Sequence, residues 1–267
     1  MAGFGKGSRS GAGRGLVESR RKPASASVKS GYTGSMNNHD ALPIDLMVAP
    51  IWPQWQRLSR LLFSGQIAFN SELARWETTE FDTEHGVRLR DRTMQSKYRV
   101  TLDEHLTTLR DRSQFFEVIL IKAYSLMDAH GRYVRYILDS KKFELLYRVP
   151  TESELQIIFD IHLTGGVEAW GGKLLTELGR DWRIIDGKAG LIQTSILRNA
   201  FAHGYVSATQ GMLDAAVERG ASLPLAAGDP IALTFEQCRL HLSRIKSFCR
   251  RLDGGLINLA KVNSQGQ

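Results

Sequence analysis

The sequence contains few cysteines and no apolar segment long enough to span a membrane. Cys238 and Cys249 lie in one helix-like segment, where eleven positions of helical rise separate them by about 16 Å, too far for a disulfide. The apolar run over residues 115–121 is too short to cross a bilayer and ends at Lys122. No apolar stretch typical of a secretory signal is visible near the N-terminus. We therefore predict a cytoplasmic protein with buried thiols and no membrane association.

Positive charge is unevenly distributed along the chain. The net charge is +7, and residues 1–39 carry +6 of it, so the remaining 228 residues carry only +1. The N-terminal segment is rich in Gly, Ser and Ala and cannot bury enough apolar surface to fold, which predicts a disordered basic tail over residues 1–44. Two alternatives remain open: the tail contacts RNA or DNA phosphates, or translation starts at Met36.

Helical periodicity is the dominant pattern in the rest of the chain. There is no internal repeat and no alternation of apolar and polar residues that predicts a strand. A helix is expected over residues 55–76, whereas the polar residues 77–100 are predicted to form a loop or a marginal helix. The clearest helix starts at a capping box over residues 101–104 and continues to about Met127, in the centre of the core.

Two further capping boxes, at residues 151–154 and 234–237, mark the starts of later helices. Another helix is expected over residues 188–203, with Gly204 terminating it. Residues 205–233 are predicted to form a long connector, with a candidate helical turn near residues 212–217.

The last helix is predicted to end at Gly254-Gly255, followed by a disordered C-terminus over residues 256–267. The predicted fold class is all-α: a helical bundle over residues 101–255 with an additional N-terminal helical segment over residues 45–100. Several basic side chains on the last helix indicate either a solvated face or an RNA-contacting surface. They are Arg244, Lys246, Arg250 and Arg251.

The chemically informative segment is residues 198–205, Arg-Asn-Ala-Phe-Ala-His-Gly-Tyr, at the end of the helix predicted over residues 188–203. Imidazole titrates close to neutral pH, so His203 is a candidate general acid or base. The guanidinium of Arg198 offers a planar set of donors suited to phosphate oxygens. Together these groups could cleave RNA without a metal, with the arginine stabilising charge on the pentacoordinate phosphate. No spacing of metal ligands and no cofactor motif accompanies them.

Helical geometry constrains how these side chains meet. Asn199 and His203 are four positions apart and share a helix face, so Asn199 is placed to orient the imidazole. Arg198 precedes His203 by five positions and points about 140° away around the helix. This geometry favours a groove between two copies of the helix, and so a composite site in a homodimer.

The segment resembles the HEPN superfamily (higher eukaryotes and prokaryotes nucleotide-binding), in which an arginine, four residues and a histidine lie at a helix end. The asparagine directly after the arginine and the flanking Leu197 and Gly204 also match. The resemblance implies a helical bundle, often dimeric, and a metal-independent endoribonuclease of toxin–antitoxin, antiviral defence or RNA-processing systems, with no cofactor. It implies that Arg198 and His203 are the catalytic pair and that Asn199 supports them.

Tyr205 extends this resemblance to HEPN toxins that pair with nucleotidyltransferase antitoxins. It implies Tyr205 as a modification site and an antitoxin or regulatory protein as a partner, besides RNA. The long connector after residue 205 and the length of the chain depart from minimal toxins, and they fit a larger stand-alone member better.

A non-catalytic function is the alternative: a helical dimerisation or RNA-binding module. In that case His203 is a capping residue that hydrogen-bonds a carbonyl, and Arg198 forms a surface or interhelix salt bridge. Exposure of both side chains in a shared groove would favour the nuclease, whereas burial of both with satisfied partners would exclude it.

Overall fold

The structure is a computed structural model that describes residues 50–78, 86–89 and 98–265. Its elements, in chain order, are α1 (Ile51–Glu77), β1 (Gly86–Leu89), β2 (Tyr98–Thr101), α2 (Leu102–Arg110), α3 (Ser113–Ser140), a 3₁₀ turn (Phe143–Leu146), α4 (Glu152–Asp160), α5 (Val167–Glu177), α6 (Gly187–Ala202), α7 (Gln210–Glu218) and α8 (Phe235–Gln265). The predicted all-α fold class is confirmed. Among the described helices, none has the length and apolarity needed to cross a bilayer. The tail predicted over residues 1–44 lies outside the described residues.

The three capping boxes predicted from the sequence are present. The Thr101 hydroxyl accepts a hydrogen bond from the backbone N–H of Glu104 at 3.2 Å, and the Glu104 carboxylate accepts one from the Thr101 N–H at 2.8 Å. The same reciprocal bonds start α4 at Thr151 and α8 at Thr234. Each box satisfies amides that the first turn of a helix leaves without partners.

Helix α3 lies at the centre of the bundle, as predicted, and contacts α1, α4, α5, α6 and α8. Its most deeply buried side chains form one continuous cluster with those of the other helices. From α3 and α8 these include Leu120, Met127, Ile137, Ile245 and Phe248. Both cysteines are free and buried, in agreement with the prediction for the thiols.

The long helix predicted from residue 101 is two helices, α2 and α3, with a break at Asp111 and Arg112. The Asp111 backbone is extended, and its carboxylate accepts the N–H of Ser113 at 3.1 Å. Such a side-chain bond offers the backbone an alternative to a continuous helix. Arg112 then turns toward α1 and donates to the Asn70 side chain at 2.6 Å. The polar residues 111–113 therefore separate the two helices, and α3 begins at Ser113.

The predicted end of the last helix is wrong, because α8 continues through Gly254-Gly255 to Gln265. The disorder predicted over residues 256–267 is therefore wrong for residues 256–265, and the last two residues lie outside the described part. A Cβ on Gly255 would lie 2.7 Å from the Cβ of Leu178. The glycine permits close packing of α8 on the segment after α5 and does not terminate the helix.

The segment before α2 also differs from the prediction. Residues 86–89 and 98–101 form an antiparallel pair in which Gly86 is opposite Thr101, where a loop or marginal helix was expected. Two strands of four residues are too short to produce a recognisable alternation.

Helix α1 contributes Trp52, Trp55 and Leu62 to the common core, so it is part of the bundle. In the connector, α7 is a full helix of nine residues.

Candidate functional site

Helix α6 presents residues 198–205 at its C-terminal end. Most of the helix is buried, and Leu191, Ile192 and Ile196 belong to the core. The helix ends in a Schellman motif: Gly204 has a φ of +72°, its N–H bonds the carbonyl of Phe201, and the next N–H bonds that of Ala200. The predicted termination at Gly204 is confirmed. This turn carries the chain out of the core, so residues 203–206 lie at the surface.

The Arg198 side chain is half-buried and is held within its own protomer. Its Nη1 donates to Oδ1 of Asn199 at 2.8 Å, and its Cζ lies 4.9 Å from the centroid of the Tyr124 ring. Its Nε–H is buried without an acceptor among the described residues. The salt bridge of the alternative interpretation is not formed in the described part of the chain.

His203 is exposed at the last turn of α6. Its ring centroid lies 6.4 Å from that of Tyr205, with an angle of 60° between the ring planes. Tyr205 is itself 50% exposed. Within the described residues, the imidazole has no hydrogen bond to a carbonyl, so the capping role of the alternative interpretation is not supported.

Arg198 and Asn199 line a cavity of about 220 Å³, and His203 does not. The cavity is bounded by helices α3 and α6, by the loop that precedes α5, and by the residue that follows α7. Its ionisable groups are Tyr124, Asp128, Arg132, Arg198 and Arg219. Three arginines from three parts of the fold therefore line one cavity together with one aspartate.

Burial dominates the electrostatics of the two acidic groups in this cavity. It raises the pKa of Asp128 to about 6, against the opposing effects of Arg198 and Arg132. Burial also raises the pKa of Tyr124 to about 12, and a hydrogen bond with Ser195 acts in the opposite direction. Loss of hydration disfavours the charged form of each group. Asp128 thus changes its protonation state close to neutral pH.

Arg219 is held in place by an ion pair. Its Nε and Nη2 each donate to Glu168 at 2.7 Å, and Nη2 also lies 3.3 Å from the Ser195 hydroxyl. This bidentate geometry fixes the plane of the guanidinium. Arg219 therefore contributes a rigid positive charge to the wall of the cavity.

The predicted site residues form two groups in the structure. Arg198 and Asn199 are together at the cavity, whereas His203 and Tyr205 are together at the exposed end of the helix. The hydrogen bond expected between Asn199 and His203 is not formed within the described residues, and the Asn199 Oδ1 accepts from Arg198 instead. Within one protomer, the arginine and the histidine do not share a cavity.

The sequence interpretation missed Asp128, Arg132 and Arg219. The first two lie four positions apart on α3, where one turn of the helix places them on the same face. Polar residues in an otherwise apolar helix gave a weak signal there. Nothing in the sequence connects them with Arg219, which approaches from the connector and becomes their neighbour only in the folded chain.

Within the described residues, no cluster of three His, Cys, Asp or Glu side chains could hold a metal ion. Comparisons of the chain with protein families, with curated proteins and with solved structures found no match.

Proposed function

We propose that this chain is a metal-independent endoribonuclease of the HEPN type that acts through a composite site in a homodimer. The observation that carries the proposal is the exposure of His203 at the end of a buried helix, together with the opening of Arg198 and Asn199 into a charged cavity. Neither Arg198 nor His203 forms an ion pair within the described residues. Both remain available to a substrate.

The chemistry requires a proton-transfer group and a stabilised phosphate. His203 would take the proton from a ribose 2′-hydroxyl, or give one to the departing 5′-oxygen, because imidazole carries out both roles near neutral pH. The 2′-oxygen bonds the phosphorus as the bond to the 5′-oxygen breaks, giving a 2′,3′-cyclic phosphate and a 5′-hydroxyl. Arg198 would stabilise the charge on the pentacoordinate phosphate, and Asn199 would orient its guanidinium.

A second protomer would bring the two groups together. Along α6, Arg198 and His203 are about 7.5 Å apart in rise and face directions about 140° apart. A two-fold arrangement can place Arg198 of one protomer opposite His203 of its partner, which produces two equivalent sites. Tyr205 and Val206, which are 50% and 80% exposed, provide apolar surface beside His203 for such a contact.

The biological setting of the proposal follows from the HEPN resemblance. A role in host defence or in a toxin-like system, in the cytoplasm, would connect the nuclease with an antitoxin or regulatory protein. In the single protomer Tyr205 is 50% exposed, so a modifying partner would reach it before dimerisation, and its modification would block the contact beside His203.

A non-catalytic dimerisation or RNA-binding module is the second candidate. It is favoured by one specific observation: the Arg198 guanidinium already contacts Asn199 and the Tyr124 ring, and His203 lies outside the cavity. In this alternative, Arg198 contacts RNA phosphates without cleaving them.

Cleavage of RNA by the purified chain in EDTA distinguishes the two candidates. We expect wild-type protein to cleave and both Arg198→Ala and His203→Ala to lose at least about a hundredfold in rate. Proton transfer by His203 contributes roughly 10²–10⁴-fold, and loss of a group that stabilises the transition-state charge costs about 10²–10³-fold. His162→Ala and Arg60→Ala are matched controls, since both side chains are exposed outside the site. They should cleave at the wild-type rate.

RNA binding without cleavage would support the non-catalytic module and contradict the nuclease. Cleavage that survives both site substitutions would also contradict the proposed residues. Circular dichroism of each variant shows whether a loss of activity reflects loss of folding.

A further inference from the structure

We infer that the cavity beside α6 is a phosphate-binding subsite formed by Arg132, Arg198 and Arg219, with Asp128 setting its charge. The inference goes beyond the proposed cleavage site, because it adds three residues and concerns binding. It stands or falls independently of whether the chain cleaves RNA.

The three arginines reach the cavity from separate elements. Arg132 belongs to α3, Arg198 to α6, and Arg219 follows the last residue of α7. Like charges gathered from three elements repel one another unless a counter-charge is present. Arg219 has such a counter-charge in Glu168, but neither Arg132 nor Arg198 has an ion pair within the described residues. This arrangement is suited to an anion that enters from solvent.

Donor groups remain available in the cavity wall. The Nη1 groups of Arg132 and Arg198 donate to the Phe159 carbonyl and to Asn199, whereas their Nη2 groups form no hydrogen bond within the described residues. These Nη2 donors can bind the oxygen atoms of an anion through charge-assisted hydrogen bonds. The N-terminus of α5 adds to the positive potential, because Gly165, Gly166 and Val167 also line the cavity. These features together point to a ligand with several oxygen atoms and negative charge.

The charge of the cavity depends on Asp128. With three guanidinium groups and the Glu168 carboxylate, the net charge around the cavity is +2 when Asp128 is protonated and +1 when it is ionised. The charged and titratable groups around Asp128 are Arg132 and Tyr124 on α3, Arg198 on α6, Arg219 after α7, and Cys249 on α8. Anion binding should therefore strengthen as pH falls through the pKa of Asp128, about 6.

The size of the cavity limits the ligand. Its volume of about 220 Å³ is below the range of roughly 300–1,000 Å³ that is typical of sites for whole drug-sized molecules. A single phosphate group fits this restriction better than an entire nucleotide. The phosphate can be the terminal monoester of an RNA or an internal diester, since both present the same oxygen atoms to the arginines.

Sulfate is the direct probe, because its charge does not change near neutral pH. We would titrate it into the full chain by isothermal calorimetry from about pH 5 to about pH 8, a range that brackets the pKa of Asp128. Wild-type protein should bind more tightly at the acidic end. Arg132→Gln should weaken binding about tenfold or more, as expected for a charge-assisted hydrogen bond. Arg60→Gln removes the same charge from an exposed position on α1, and this variant should bind sulfate as the wild type does.

Asp128→Asn distinguishes the effect of Asp128 on the subsite from the effects of charges elsewhere on the chain. It should bind sulfate at pH 8 as tightly as wild type does at pH 5, with little dependence on pH. No sulfate binding by the wild type, or equal binding by wild type and Arg132→Gln, would overturn the inference. Unchanged pH dependence in Asp128→Asn would overturn the role of Asp128.

Competition identifies the source of the phosphate. Short RNAs with and without a 5′-phosphate would be titrated against bound sulfate, with His203→Ala preventing cleavage. Displacement by the phosphorylated RNA alone supports a terminal monoester, and displacement by both supports an internal diester. Displacement by neither would mean that sulfate is an adventitious ion only, and it would overturn the inference. Sulfate binding by a chain that cleaves no RNA would contradict the proposed nuclease and leave the subsite standing.

Discussion

Arg198 and His203 illustrate how much local surroundings matter at the scale of single residues. The spacing of five positions in the sequence predicted correctly that the two side chains face different directions on α6. The sequence could not show that Asn199 would accept from Arg198 and leave the imidazole free, since this depends on side-chain conformation. It also could not show that Asp128 would lie beside Arg198, because α3 and α6 meet only through the tertiary fold.

A buried polar contact in the core allows a prediction at the same scale. The Asp253 carboxylate accepts the indole N–H of Trp52 at 3.1 Å, and its other oxygen lies 3.0 Å from Nε2 of His130, although poorly aligned for a hydrogen bond. All three residues are buried and join α1, α3 and α8. Asp253→Ala should lower the free energy of unfolding by about 3 kcal/mol or more, because it leaves a buried donor and a buried imidazole without their partner.

Urea denaturation monitored by circular dichroism would measure this change. Asp214→Ala is the control, since Asp214 is exposed on α7, and it should alter the unfolding free energy by less than about 0.5 kcal/mol. Equal effects of the two substitutions would show that Asp253 does not stabilise the junction of the three helices.

At the scale of elements, starts of helices were predictable and ends were less so. Capping boxes have a local cause, because residues three positions apart satisfy one another's amides, and all three were found. The continuation of α8 past Gly254-Gly255 has a non-local cause, the close approach of Leu178. The basic side chains of α8 were expected on a solvated or RNA-contacting face, and this holds for only some of them. Arg244 is buried and pairs with Asp186.

The two adjacent glycines of α8 provide a matched pair of substitutions. Gly255→Ala should destabilise the fold by about 1–3 kcal/mol, since its Cβ would overlap Leu178. Gly254→Ala should be neutral or stabilising by up to about 1 kcal/mol, because alanine favours the helix and the nearest side-chain atom is 3.7 Å away. Urea unfolding of both variants measures the difference. Stabilisation by both would contradict close packing at Gly255.

The whole molecule determines whether the proposed site exists. One protomer holds Arg198 in a cavity and His203 at the surface, so the cleavage that we propose for this pair would require a second copy. The all-α architecture was predictable because periodicity and capping are local signals summed over many residues. The arrangement of two protomers has no comparable signal in the sequence, because an interface depends on surface shape and on residues from distant segments.

Mixing two inactive variants tests the central claim most directly. Arg198→Ala and His203→Ala would be co-refolded in equal amounts and assayed for RNA cleavage in EDTA, with light scattering to establish that dimers form. If each site pairs Arg198 of one protomer with His203 of the other, half of the dimers are mixed and each contains one intact site. Activity should then recover to about a quarter of the wild-type level. No recovery in mixed dimers, while the wild type cleaves, would contradict the composite site.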